Sequence, residues 1–237
     1  MAPLYTIIGT PFSTFTRSIT LGLVHKGVEY NQVRVTPHSE TADEYHPFGF
    51  LPTLVIHDIN GKKVDLKLRE SQAIARYIDR IHPEPTLHLD VEEAVANGAP
   101  ADAIIPEKMW EFVSLSGAFG NSRFPIVEGG CVKKRVAATD EAKLSDAEVR
   151  SNIKEGVDRL KFFLSKIEKL MAPDGFVFGK KVTWADFFLF PLLADLRATP
   201  EGEVLSPRLK GWMDLMDGLE AVKKTAPGTL SVGARPP

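Results

Sequence analysis

Three short stretches combine polar side chains with backbone positions suited to holding a ligand. In "GTPFSTFTRS", residues 9–18, Ser13 opens a helix directly after a strand. A hydroxyl there can accept a hydrogen bond from the helix's own free N–H groups. It can also donate one to a bound thiolate, with the helix dipole assisting. In "HPFGFLPTLVIHD", residues 46–58, Pro52 heads a strand-like run from Thr53 to Ile56. Proline lacks the N–H that a sheet ladder needs, so within sheets it is confined to strand starts, edges and bulges. It marks an ordinary strand start, or it leaves the neighbouring backbone free for a ligand. In "RESQAIARYI", Glu70 and Ser71 stand at a helix start. As a cap, Ser71 satisfies the first turn and Glu70 favours the positive end of the dipole. As a site, the open N–H groups take a carboxylate and Glu70 takes an ammonium, which together hold one amino-acid end.

These stretches need elements to bring them together. The first eighty or so residues alternate strand and helix signals. "LYTIIG" is an apolar, β-branched strand, and "TPFSTFTRSITLGLVHKG" has Ile19, Leu21, Leu23 and Val24 at helical spacing, with Gly27 as a natural C-cap. "VEYNQVRV" alternates as a second strand, and "TPHSETADEYHP" suits a short irregular helix. "TLVIHD" and "KVDLKL" flank Asn60-Gly61, a strong hairpin signal. "ESQAIARYIDRIH" is amphipathic. The order β-α-β-α-β-β-α implies a small mixed sheet with helices on its faces. Proline-rich pieces then mark a linker over residues 85–103, and beyond it each patterned segment is helical. "WADFFLFPLLADL" is apolar nearly all round, so it is expected at the centre of that domain. Residues 120–146 read as a long polar connection.

Composition narrows the function classes. The chain has 237 residues, 43% of them hydrophobic, enough for one large domain or two small ones. A net charge of −2 gives no basic excess for nucleic acid. Cys131 is the only cysteine, which forbids an internal disulfide and suits a reducing, cytoplasmic setting. No apolar run is long enough for a bilayer, and the N-terminus lacks the pattern of a secretory signal. No His/Cys/Asp/Glu cluster has metal spacing, so neither a metal nor a membrane is expected as a partner.

The succession "HPFGFLPTL", "RESQAIARYI", "TWADFFLFP" resembles the glutathione transferase superfamily over nearly the whole chain. The resemblance implies a thioredoxin-like domain over residues 1–84 and an all-helical domain over residues 104–237. It implies a cis bond between Leu51 and Pro52, turning the Leu51 N–H and C=O outward to pair with the cysteinyl unit of glutathione as an added strand. It assigns the γ-glutamyl end to Glu70 and Ser71. "PFSTFTR" looks most like the phi class and related fungal forms, where the first Ser of "ST" activates the thiol. That role falls on Ser13, with Thr14 and Thr16 as fallback hydroxyls and Arg17 as either an electrostatic aid or a plain ion pair. Omega-type relatives carry cysteine at this place. Serine cannot form their mixed disulfide, which disfavours thiol-transfer chemistry. His38 is in the region of the glycine end, and Phe50 stands where the family often has Gln or Lys, removing a polar contact.

The same resemblance places an acceptor pocket between the domains, lined by Phe12, Phe15, Trp110, Phe112, Phe119 and Phe124, and suited to flat apolar ligands. At least half of these aromatics are also expected in the core. Thr183 and Asp186 match a capping box with a folding role. Cys131, flanked by Lys and Arg in "GGCVKKR", is either reactive or a structural thiol. The implied activity is glutathione transfer to hydrophobic electrophiles or hydroperoxides by a homodimer, a detoxification chemistry with glutathione as co-substrate. The alternatives are a ligandin-type carrier of aromatic molecules and a non-catalytic interaction domain.

Overall fold

The computed structural model describes residues 3–103, 105–120 and 125–235. The chain divides into two compact units, residues 1–87 together with 217–237, and residues 88–216.

The first unit has the expected order. It runs β1 (Tyr5–Ile8), α1 (Thr14–His25), β2 (Asn31–Val33), α2 (Glu40–Tyr45), β3 (Thr53–Ile59), β4 (Lys62–Arg69) and α3 (Ser71–Ile81). The four-stranded sheet has the order β2-β1-β3-β4. β1 is parallel to β2 and antiparallel to β3, and β3 and β4 form a hairpin. A parallel neighbour requires a crossover, which α1 supplies. The hairpin turns on Asn60 (φ 54°) and Gly61 (φ 81°), both left-handed as a two-residue turn of this kind demands. Asp58 fastens it by accepting the Gly61 N–H at 2.7 Å. β2 is shorter than the alternation in "VEYNQVRV" suggests. It is an edge strand with Val33 42% exposed, so only the residues reaching β1 are fixed as strand.

Buried Ile7, Ile8, Leu54, Ile56, Ile74 and Ile78 form the sheet–helix core. Lys26 ties the far end of α1 to α3 through a buried ion pair with Asp79 at 2.8 Å. The same ammonium donates to the Pro85 carbonyl at 2.8 Å. The segment after residue 217 returns to this unit. Its helix α10 (Glu220–Thr225) packs on α1.

The second unit is helical, with α4 (Val91–Ala96), α5 (Glu107–Gly120), α6 (Lys133–Asp140), α7 (Asp146–Glu168), α8 (Trp184–Arg197) and α9 (Pro207–Asp217). α8 is buried from Trp184 to Leu196, as its apolar run predicts. Asp186 starts it. Its carboxylate accepts from the Thr183 N–H (2.8 Å) and hydroxyl (3.0 Å), the Val177 N–H (2.8 Å) and the Trp212 indole N–H (2.9 Å). Of the segment 120–146, the part from residue 125 on is not the irregular connection that its polarity suggests, and residues 121–124 lie outside the described residues. The described part contains a π-helical turn, Glu128–Val132, that runs straight into α6. The cause is burial of Val127, Cys131 and Val132, and a close backbone approach in which the carbonyl of Gly130 occupies the space a Cβ on Gly156 would need.

Candidate functional site

The three stretches singled out above all lie in the first unit, and the sheet arranges them. Ile8, the last residue of β1, pairs with Thr53, the first of β3, and Thr53 pairs with Arg69, the last of β4. Ser13, Leu51-Pro52 and Glu70-Ser71 each follow or precede one of these paired strand ends. One end of the sheet therefore carries all three.

Ser13 is the N-cap of α1, with its Oγ accepting the Thr16 N–H at 3.2 Å. A hydroxyl has two lone pairs and one proton, so capping uses the acceptor side only. No described residue takes the Ser13 proton, and the side chain is partly exposed. The fallback hydroxyls differ. Thr14 is buried, and the buried Thr16 Oγ1 is directed at Gly9, where a Cβ would come within 2.5 Å of it. Glycine at position 9 lets the strand end pass that close to α1. Arg17 is also buried, and its Nη1 donates to Ser231 Oγ at 3.0 Å, inside the same unit.

The Leu51–Pro52 bond is cis. The ladder between β1 and β3 stops at Thr53, and the Leu51 N–H and C=O find no partner among the described residues. Alongside, the N-terminus of α3 has no side-chain cap. Ser71 is its first residue rather than its cap, and the Ser71 hydroxyl has no partner among the described residues. α1, α2, α4 and α7 are capped by Ser13, Ser39, Asp90 and Ser145. The open end of α3 thus presents N–H groups and a positive dipole end. Glu70 holds the cap position with φ 67° and ψ 115°, a backbone state that side chains with a Cβ rarely adopt. Such residues cluster at ligand sites. Its carboxylate is 79% exposed.

Sequence reasoning missed His46. It is buried, and its Nδ1 accepts the Phe48 N–H at 3.1 Å, so the neutral ring carries its proton on Nε2. Nε2 lies 3.6 Å from Glu70 Oε1, an electrostatic contact longer than a hydrogen bond. The only signal for it was an imidazole in a turn beside the proline motif.

His38 is exposed with φ 58°, and its N–H donates to the Gly49 carbonyl at 2.9 Å. Its ring meets Phe50 edge-on at 5.3 Å. Phe12 and Phe15 are partly exposed on the first unit, and Trp110 is partly exposed on α5. Phe112 is a core side chain, buried against Phe178 at 5.9 Å between centroids. The side chain of Phe119, and Phe124 as a whole, lie outside the described residues. Cys131 is buried, and burial with the nearby Glu201 carboxylate pushes its thiol up to about 12, against the pull of Arg135. The flanking cations therefore do not activate it. Among the described residues no three His, Cys, Asp or Glu side chains gather as a metal ion requires, and no helix is long and apolar enough to cross a membrane.

Comparison with known proteins agrees in both halves of the chain. Residues 7–86 match the family model "Glutathione S-transferase, N-terminal domain", and residues 144–215 match "Glutathione S-transferase, C-terminal domain". A glutathione S-transferase of Arabidopsis thaliana is 26% identical over 218 residues, spanning 87% of this chain and 88% of that protein. Among solved structures, a glutathione S-transferase III in apo form superposes with a TM-score of 0.69 at 23% identity, over 100% of both chains. A glutathione transferase from Populus trichocarpa gives 0.66 at 22% identity, over 94% of this chain and 97% of its own. One from Rhodospirillum rubrum gives 0.70 at 20% identity, over 98% and 96%.

Proposed function

The chain belongs to the glutathione transferase superfamily, and we propose that it binds glutathione on its first unit and activates the thiol through Ser13. The observation that carries this reading is a set of three unspent binding groups at one end of one sheet. They are the Ser13 hydroxyl proton, the Leu51 N–H and C=O, and the uncapped α3 N-terminus beside Glu70. An extended peptide pairs with Leu51 as an added strand. The γ-glutamyl carboxylate meets Ser71 and the uncapped N-terminus of α3, and its ammonium meets Glu70. His38 is the polar side chain on the side of the glycine end. Arg17, engaged with Ser231, acts on the site through its charge rather than by contact.

A free thiol titrates near about 8.5, so a few per cent is ionised at neutral pH. A hydrogen bond from Ser13 and the positive end of α1 favour the thiolate and lower that value. The thiolate then attacks an electrophilic carbon. The C–S bond forms and an electron pair leaves with the departing group or moves onto the conjugated acceptor. With a hydroperoxide, sulfur takes the terminal oxygen and the alcohol departs. A second glutathione converts the resulting sulfenic acid to disulfide and water. Apolar acceptors are favoured by Phe12 and Phe15, both partly exposed on the first unit.

The test titrates glutathione into wild type, Ser13→Ala and Ser13→Asp, following thiolate absorbance against pH. Wild type is expected to bind with a thiol pKa below that of free glutathione, and Ser13→Ala to bind with a smaller shift, the part left by the α1 dipole. A shift that survives undiminished in Ser13→Ala overturns the role of Ser13. Binding with no shift in any variant moves the reading to a ligand carrier, and no binding makes this a non-catalytic member of the fold.

A further inference from the structure

The register of the sheet fixes which way a peptide must run along Leu51. Thr53 pairs with Arg69 in an antiparallel ladder, and continuing that register past the strand ends sets Glu70 level with Pro52, on the Pro52 side of Leu51. A peptide with its γ-glutamyl end there runs antiparallel to the chain, and its third residue falls opposite Phe50. This orientation rests on the glutathione reading given above.

Phe50 offers no hydrogen-bond donor to that third residue. It offers a ring 53% exposed, within a cluster of aromatic rings. His38 meets it edge-on at 5.3 Å, and His46 and Phe48 lie tilted to it at 5.7 Å and 6.4 Å between centroids. The cluster is held in place by its backbone. The His38 N–H donates to the Gly49 carbonyl at 2.9 Å, stitching the two loops together. Both residues are left-handed, His38 at φ 58° and Gly49 at φ 62°. A Cβ on Gly49 would come within 2.9 Å of the His38 backbone, so only glycine allows the approach. Buried His46 anchors the other side through the Phe48 N–H. An exposed ring held this firmly loses little freedom on binding, which suits it to recognition.

We propose that Phe50 is a specificity-determining residue and that the site prefers γ-glutamylcysteinyl peptides whose third residue carries an apolar side chain over glutathione itself. Glycine leaves the face of Phe50 in water, whereas an aliphatic side chain covers it. Each fully buried methylene is worth about fourfold in affinity. A leucine covering a half-exposed ring is therefore expected to gain about fivefold or more.

The experiment measures binding of γ-glutamylcysteine, glutathione and γ-glutamylcysteinylleucine to wild type and Phe50→Gln by calorimetry. Phe50 is exposed, so its substitution leaves the core intact. Wild type is expected to bind the leucine peptide about fivefold or more tighter than glutathione. In Phe50→Gln that ratio is expected to fall to about one, with affinity for the dipeptide unchanged. Equal binding of the two tripeptides by wild type, or a ratio that survives in Phe50→Gln, overturns the inference and leaves the glutathione reading standing. If none of the three peptides binds, the glutathione reading falls and this inference with it.

Discussion

Ser13 uses one oxygen for two tasks. It caps α1 by accepting the Thr16 N–H, and its proton remains for a thiolate. The two tasks separate in Ser13→Asp, because aspartate caps well but has no proton to give. Ser13→Ala is expected to lose about 1 kcal/mol of stability together with the hydrogen-bond share of the thiol pKa shift. Ser13→Asp is expected to lose only that share. Urea unfolding beside the thiolate titration checks both, and a pKa shift kept undiminished in Ser13→Asp would sink the hydrogen-bond account. Glu128 makes the second prediction at this scale. It is 6% exposed in the π-helical turn, and one carboxylate oxygen has no hydrogen-bond partner. Burial foremost, then the Asp195 carboxylate on α8, pushes it up to about 8, with Lys133 pulling the other way. The unfolded chain holds the same group near its ordinary value of about 4.5, so the folded state keeps the proton longer. Its contribution to stability is full below about pH 4.5 and is lost as pH rises through about 8, with a slope of at most about 1.4 kcal/mol per pH unit. Thermal unfolding between those limits should show wild type losing stability relative to Glu128→Gln. Parallel curves would exclude it. The chemistry of Ser13 is readable from its residue type and place; that its proton is unspent is not, because partners are set by neighbours in space.

Among the elements, α3 and α8 begin in opposite ways. α8 starts on a saturated carboxylate, with four donors on Asp186. Burial raises the pKa of that carboxyl and the four hydrogen bonds oppose the rise. Asp186→Ala strands four buried donors, so a loss of more than about 3 kcal/mol is expected in denaturant unfolding. A loss below about 1 kcal/mol would show that α8 does not depend on its cap. α3 starts on an unfilled end, with Glu70 strained at φ 67°. Glu70→Gly is expected to gain about 1 kcal/mol in stability, because glycine tolerates that backbone, while glutathione affinity falls with the lost carboxylate. A variant that is both less stable and equally avid would refute a functional origin for the strain. The capping box at Thr183 is a four-residue pattern and could be read directly. So could the hairpin at Asn60-Gly61 and the helical stripe of α3. The π-helical turn and α6 could not, since "EGGCVKKR" has no apolar period. What holds that segment is the Gly130–Gly156 approach and the pairing of Arg135 with Glu201 and Asp146, all between residues distant in sequence.

At the scale of the whole molecule, the chain leaves its first unit at residue 87 and comes back to it at residue 217. Nothing local announces this return. "EAVKKT" is a short, mostly polar helix, and the hydrogen bond from Arg17 to Ser231 links residues 214 apart. Yet the return explains why α1 buries Arg17, a residue that an exposed helix face would suit. Ala221, Val222, Thr225 and Leu230 are buried in the returning segment. The α1 that carries Ser13 at its head is therefore held on one side by α3 and on the other by the last twenty or so residues of the chain. Deleting residues 219–237 should uncover that side and expose the Arg17 guanidinium without its serine partner. Burying Val222 and Leu230 alone is worth about 3 kcal/mol or more. The truncated chain is therefore expected to unfold at lower urea, to lose amide-exchange protection in α1, and to bind glutathione more weakly, although every residue proposed to contact glutathione remains. Ser231→Ala should show the same α1-centred effect at a smaller size, about 1 kcal/mol. Unchanged protection of α1 in the truncated chain would mean that its packing on α3 is enough to fix Ser13. The returning segment would then have no part in building the site.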